Sequence, residues 1–147
     1  MARHLIYLAE ACYLQAQLDG SGTEHLHAHF GTNATMVAML CHLLGGPRYS
    51  FTTHGPEEFD SPRALSLSAK IHHSAFAVAI SQFGRSQLCR WADPADWPRI
   101  KVVHCGIEPA KFPAPAALPD GPRRLVSIGR FVEQKGQLAL IDAMARL

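Results

Sequence analysis

At 147 residues, 48% apolar and 18% charged, the chain has the size and composition of a soluble globular domain rather than a disordered segment. Its formal net charge of +2, without sustained Lys/Arg runs, argues against nucleic acid as a partner. Cys12, Cys41, Cys89 and Cys105 form no Cys-x-x-Cys pair, which excludes a zinc ribbon or a thioredoxin-like motif by spacing. Three of the four sit in apolar stretches, as reduced core thiols do, so a reducing cytoplasm is the expected setting. No stretch approaches the roughly 20 apolar residues of a membrane span.

From Arg3 to Leu18 the chain predicts an amphipathic helix, with Leu5, Leu8, Ala9, Cys12 and Ala16 on one face, stopped by Asp19-Gly20-Ser21-Gly22. Glu10 interrupts the apolar run too early for a signal peptide. His25, His27 and His29 alternate with Leu26, Ala28 and Phe30, the period of a strand with three imidazoles on one face. With no well-placed carboxylate or cysteine beside them, these histidines suit a strand end reaching a cleft better than a metal site. Thr32 or Asn33 is positioned to cap a largely buried helix from Ala34 to Leu44, ended by Gly45-Gly46-Pro47.

A second strand, Arg48–Thr53, runs into His54-Gly55-Pro56. Ser61-Pro62 reads as an N-cap with proline at the first helical position, opening a helix to about His73. Ala75–Ile80 is a continuous apolar run, the pattern of a strand buried on both faces, and Ser81 can cap the helix through Leu88 and Trp91. Asp93–Pro98 closes that helix, and Arg99–His104 is the fourth strand. Residues 107–123 hold Pro109, Pro113, Pro115, Pro119 and Pro122, a density that suits an extended linker. Regular alternation of strand and helix predicts an α/β fold with a Rossmann-like parallel sheet and helical crossovers.

Beyond the linker, Arg124–Ile128 predicts a fifth strand that ends in Gly129-Arg130 and reaches a helix at Lys135-Gly136. A strand, a cationic turn and a helix N-terminus together make a place for phosphate, with Arg130 forking onto oxygens and Lys135 acting as a mobile point charge. The helix that opens there shows no stop signal at Leu147, so the chain is expected to be a piece of a longer protein, incomplete at both ends. The predicted layout is residues 1–106 as one Rossmann-like unit, 107–123 as the linker and 124–147 as the start of a second.

The ordered motifs "HAHFG", "SFTTHGPEEFD", "AISQFGRSQL", "IKVVHCGIEPAKF" and "RLVSIGRFVEQKG" resemble the GT-B glycosyltransferases of family 4, and most closely the exopolysaccharide and colanic-acid-type bacterial members. The resemblance covers about Glu24 to Leu147. It implies a retaining transfer of sugar from a nucleotide-diphosphate-sugar donor to a glycan or lipid-linked acceptor in polysaccharide biosynthesis. The first unit would be part of the N-terminal, acceptor-side domain, and the last the first strand-helix unit of the donor-binding domain. The resemblance assigns the donor diphosphate to Gly129, Arg130 and Lys135, and the donor sugar and acceptor to His54 as the catalytic candidate. Ser81 and Arg85 fall where a strand end and helix start would line the cleft.

No cofactor and no metal is expected, since the two cations suit the diphosphate and no Asp-x-Asp pair is present. Peripheral membrane association of the full-length enzyme is compatible with the resemblance, and self-association is expected of a truncated chain. The glycine-rich first loop usual in the family is missing, as is its pair of glutamates eight positions apart; Glu57 and Glu58 are adjacent and cannot replace them. Two competing readings therefore stand beside the enzyme. One is a nucleotide- or phosphate-binding module without catalysis. The other is a flavodoxin-like interaction domain, because doubly wound sheets host many functions.

Overall fold

The computed structural model describes residues 2–112, 121 and 124–146. The chain divides into two compact units, Met1–Ile107 and Glu108–Leu147. The first contains α1 (Ala2–Leu18), β1 (His25–His29), α2 (Asn33–Leu43), β2 (Arg48–Thr53), the single turn α3 (Glu57–Asp60), α4 (Leu67–His73), β3 (Phe76–Ala79), α5 (Gln82–Trp91) and β4 (Ile100–Val102). A 3-10 segment, Pro94–Arg99, precedes β4, and the Asp93 side chain caps it by accepting from the Ala95 N–H at 2.8 Å.

The four strands form one parallel sheet in the order β1-β2-β3-β4, an α/β architecture of the Rossmann-like kind. Each strand is added on the same side of the one before it. Right-handed crossovers repeated in one direction place every connecting helix on the same face of the sheet. The core lies on that face. Ala28, Tyr49, Phe51, Ala77, Ala79 and Ile100 from the strands meet Met36, Met39, Leu67, Ile71 and Leu88 from α2, α4 and α5. The opposite face carries the alternate residues: His25, His27 and His29 on β1, Ser50 and Thr52 on β2, and Phe76 on β3.

Several sequence expectations need correction. Helix α1 forms, but it turns a different stripe inward from the one predicted. Ala11 is fully buried and Tyr7 packs on the core, while Leu5, Leu8, Cys12 and Ala16 are exposed. Helix α1 packs against α2, and both stripes of α1 are apolar enough for that packing to choose between them. The helix predicted from Ser61-Pro62 is instead a series of turns over residues 61–66, and α4 opens only at Leu67. Ser66 sits in the left-handed region (φ 53°), which interrupts the helical ladder. Thr32 occupies the N-cap of α2 without a side-chain capping bond. Of the cysteines, all free, only Cys41 is buried; Cys89 is half-buried, and Cys12 and Cys105 are exposed.

In the second unit, residues 124–128 are irregular rather than a strand, and Ile128 is 94% exposed. A strand needs a neighbour for its ladder, and the described residues of this unit supply none. Helix α6 spans Gln137–Met144, so Lys135 lies before it, in the 3-10 turn Glu133–Lys135, and Gly136 is the N-cap (φ 66°). Pro109 opens a 3-10 turn, Pro109–Lys111, whereas Pro113, Pro115, Pro119 and Pro122 of the predicted linker lie outside the described residues. No helix among the described residues is long and apolar enough to cross a membrane.

The one-sided core makes a direct prediction. Phe51→Ala, at a fully buried position, should lower unfolding stability by about 3–5 kcal/mol. Phe83→Ala, at an exposed one, should change it by less than about 0.5 kcal/mol. Chemical denaturation of the two variants checks the contrast, and similar losses would place the core wrongly.

Candidate functional site

The carboxyl ends of parallel strands are where open α/β sheets meet their ligands. Here that edge is unusually rich in imidazoles. β1 ends in His29, His54 follows β2, Ser81 follows β3 by two residues, and His104 follows β4 by two. His54 is half-buried, and its Nε2 lies 2.9 Å from His29 Nδ1. One ring donates and the other accepts, according to tautomer. Phe30 closes against the same imidazole, with ring centroids 4.8 Å apart.

Phe30 is held at φ 68°, a conformation that bulky residues adopt only under constraint. The constraint is visible in the backbone bonds on either side. The Phe30 N–H donates to the Thr52 carbonyl at 2.8 Å, and the Thr35 hydroxyl donates to the Phe30 carbonyl at 2.6 Å. The Gly31 N–H donates to Glu58 Oε1, while Lys70 Nζ donates to the carbonyls of Gly31 at 2.9 Å and Thr32 at 2.8 Å. The other carboxylate oxygen, Glu58 Oε2, accepts from the N–H groups of His54 at 2.9 Å and Gly55 at 3.0 Å. One carboxylate thus joins the loop after β1 to the loop after β2. A Cβ at position 31 would sit tightly, 3.3 Å from both Glu58 Oε1 and Leu67 Cδ1, so a larger residue would press on the carboxylate.

Glu58 and Lys70 are each 1% exposed. Burial depresses the Lys70 pKa to about 8, and the Glu58 carboxylate pulls in the opposite direction by favouring the ammonium form. Tyr49, also fully buried, donates its hydroxyl to the Lys70 carbonyl at 2.6 Å and fixes the turn of α4 that carries the lysine. Burial raises the Tyr49 pKa above its ordinary value.

Further along the same sheet face, side chains form a second network. Ser50 Oγ lies 2.7 Å from both His25 Nε2 and His27 Nδ1, and His27 Nε2 lies 2.9 Å from Thr52 Oγ1. Phe76 stacks on His25 with a 14° interplanar angle. The His27 pKa is lowered, first by burial and then by the neighbouring imidazoles of His29, His25 and His54. Both His27 nitrogens are engaged by hydroxyls, so that ring serves the sheet rather than a ligand. Among the described residues, no group of three or more His, Cys, Asp or Glu side chains is placed to hold a metal ion.

The remaining predicted residues, Ser81, Arg85, Gly129, Arg130 and Lys135, fall in separate surroundings, and an unpredicted histidine braces the same edge. Ser81 caps α5, its hydroxyl accepting from the Gly84 N–H at 3.0 Å. Arg85, in the first turn of α5, donates through Nε to the Ile100 carbonyl at 3.4 Å. His104 Nδ1 lies 3.0 Å from the Ile80 carbonyl, bracing the end of β4 against that of β3. In the second unit, the Gln137 amide donates to the Arg130 carbonyl at 2.8 Å, closing the loop from Gly129 to α6. The side chains of Arg130 and Lys135 are exposed on that loop.

Sequence reasoning missed Phe30, Glu58, Lys70 and His104. Glu58 had one available signal, a carboxylate four residues beyond a turn histidine at the start of a short helix. Lys70 had none, because its partners lie 38 and 39 residues away. No family model, curated protein or solved structure matches the chain.

The buried lysine has a signature in pH. Between about pH 8 and the ordinary value of 10.5 the folded chain holds fewer protons at Lys70 than the unfolded chain, so this group makes stability climb with pH. The unfolding free energy of wild type minus that of Lys70→Met should therefore rise across this window. A difference that stays constant from pH 7 to 10.5 would show that Lys70 is not held as described.

Proposed function

We propose that the chain is part of a retaining glycosyltransferase of the family 4 GT-B kind, moving a sugar from a nucleotide-diphosphate donor to a glycan or lipid-linked acceptor. The observation that carries this reading is the meeting of two of its motifs at one place. The "HAHFG" and "THGPEEFD" stretches bring His29, Phe30 and His54 together at the carboxyl edge of a parallel sheet, where ligands of such sheets bind.

The chemistry follows from what such a transfer requires. As the glycosidic bond to the donor breaks, negative charge grows on the departing nucleoside diphosphate. Preorganised cations lower the barrier by stabilising that charge. Arg130 supplies a forked donor and Lys135 a mobile one, both on the exposed loop before α6. His54, with His29 as its hydrogen-bond partner, can hydrogen-bond a sugar hydroxyl through its ring. No metal enters this scheme.

A second reading has its own support. Residues 124–128 are exposed and pair with no strand among the described residues, so those residues supply no sheet to hold the phosphate loop rigid. By itself the chain would then act as a weak nucleotide- or phosphate-binding module. Under both readings the 147-residue chain should bind UDP weakly, and Arg130→Ala or Lys135→Ala should each lower the affinity about tenfold, the worth of one charge-assisted hydrogen bond. Calorimetric titration checks this, and equal affinities in all three proteins would remove the phosphate assignment. No sugar transfer is expected from the isolated chain, and measurable turnover would rule out the binding-module reading.

A further inference from the structure

We propose that Glu58 and Lys70 are positioning residues for His54, together holding the loop after β1 in the strained form that sets Phe30 and His29 against it. The inference rests on the glycosyltransferase reading for its purpose, since His54 is the group that reading places at the sugar. Its physical basis is independent of that reading.

From Phe30 to Thr32 the backbone groups that would otherwise relax the turn are taken up by side chains or by β2. The Gly31 unit is gripped at both ends, its N–H by a buried carboxylate and its carbonyl by a buried ammonium. A strained φ survives only where neighbouring structure over-determines it, and this grip does so. The same carboxylate takes the N–H groups of His54 and Gly55, so beyond the last ladder bond a single side chain bridges the loops after β1 and β2. A general stabilising role would need none of this convergence. An apolar pair of similar volume would fill the same space without leaving two charges buried.

The pairing also sets what the edge offers to a ligand. His29 and His54 are joined by a ring-to-ring hydrogen bond, and Phe30, half-exposed, places an aromatic face beside His54. A rigid ledge of imidazole and phenyl suits the ring of a sugar, whose hydroxyls point outward and whose C–H faces are apolar.

The test uses NMR on the full chain. In wild type, the amide hydrogens of Gly31, His54 and Gly55 should exchange slowly and in concert although they lie outside the strands, and ring-nitrogen spectra should show the His29–His54 hydrogen bond. In Glu58→Gln, those amides should lose protection by at least tenfold relative to core amides of β2 and β3. The imidazole hydrogen bond should also disappear while the sheet persists. Fast exchange of these amides in wild type would overturn the proposal without recourse to any variant. A folded Glu58→Gln with the imidazole pair intact would also overturn it. Neither readout involves nucleotide or sugar, so failure here is distinct from failure of the glycosyltransferase reading, which UDP titration judges.

Discussion

The buried Glu58 carboxylate and Lys70 ammonium are the constraint on which the carboxyl edge of this sheet depends. An isolated charge in such surroundings would be expelled or neutralised, because removing it from water costs several kcal/mol even after relaxation. Here each charge is met by backbone dipoles of opposite sense. Three N–H groups converge on the carboxylate and two carbonyls on the ammonium, all from the loops after β1 and β2. Each charge also feels the other, as the opposing influence of Glu58 on Lys70 indicates. Loosening the loop after β1 would strip Lys70 of both carbonyls and Glu58 of one donor, and loosening the loop after β2 would strip Glu58 of its other two. His54 is therefore not a histidine on a free turn but part of a rigid assembly.

The second determinant is the direction of sheet growth. Because β1, β2, β3 and β4 follow one another in order, the right-handed crossovers leave every connecting helix on one face. The other face carries the alternating histidines of β1 with the Ser50 and Thr52 hydroxyls that bind them. Parallel sheets usually bury both faces under apolar side chains. This one has replaced apolar residues by a hydrogen-bonded ladder of imidazole and hydroxyl, which satisfies the polar atoms in place. The histidines so divide into two groups. His25 and His27 are engaged along the face, while His29 and His54 meet at its edge.

Much of the fold could be read from residue patterns, and its failures have physical causes. Alternation from His25 to Phe30 located β1 and its polar face, the run Ala75–Ile80 located the central β3, and Ser81 capped α5 as its chemistry suggests. These signals are local, and local geometry honours them. The inward face of α1 was misjudged because two of its stripes are apolar and the choice between them is made by α2, which local pattern does not contain. Residues 124–128 have strand character, yet a strand exists only with a partner. The site shows the same division. His54 stood out by its place after β2, but Glu58 and Lys70 act through backbone groups, and those have no residue identity to read. Lys70, in the middle of a helix, resembled any solvated lysine.

The claim that one buried pair organises both loops can be measured through coupling. Unfolding free energies of wild type, Glu58→Gln, Lys70→Met and the double variant complete a thermodynamic cycle. If the two charges share one assembly, the double variant should lose about 1–3 kcal/mol less than the sum of the single losses, since the second substitution acts on a Gly31 turn that the first has already released. Losses that add within about 0.3 kcal/mol would contradict it, and would reduce Glu58 and Lys70 to independent anchors.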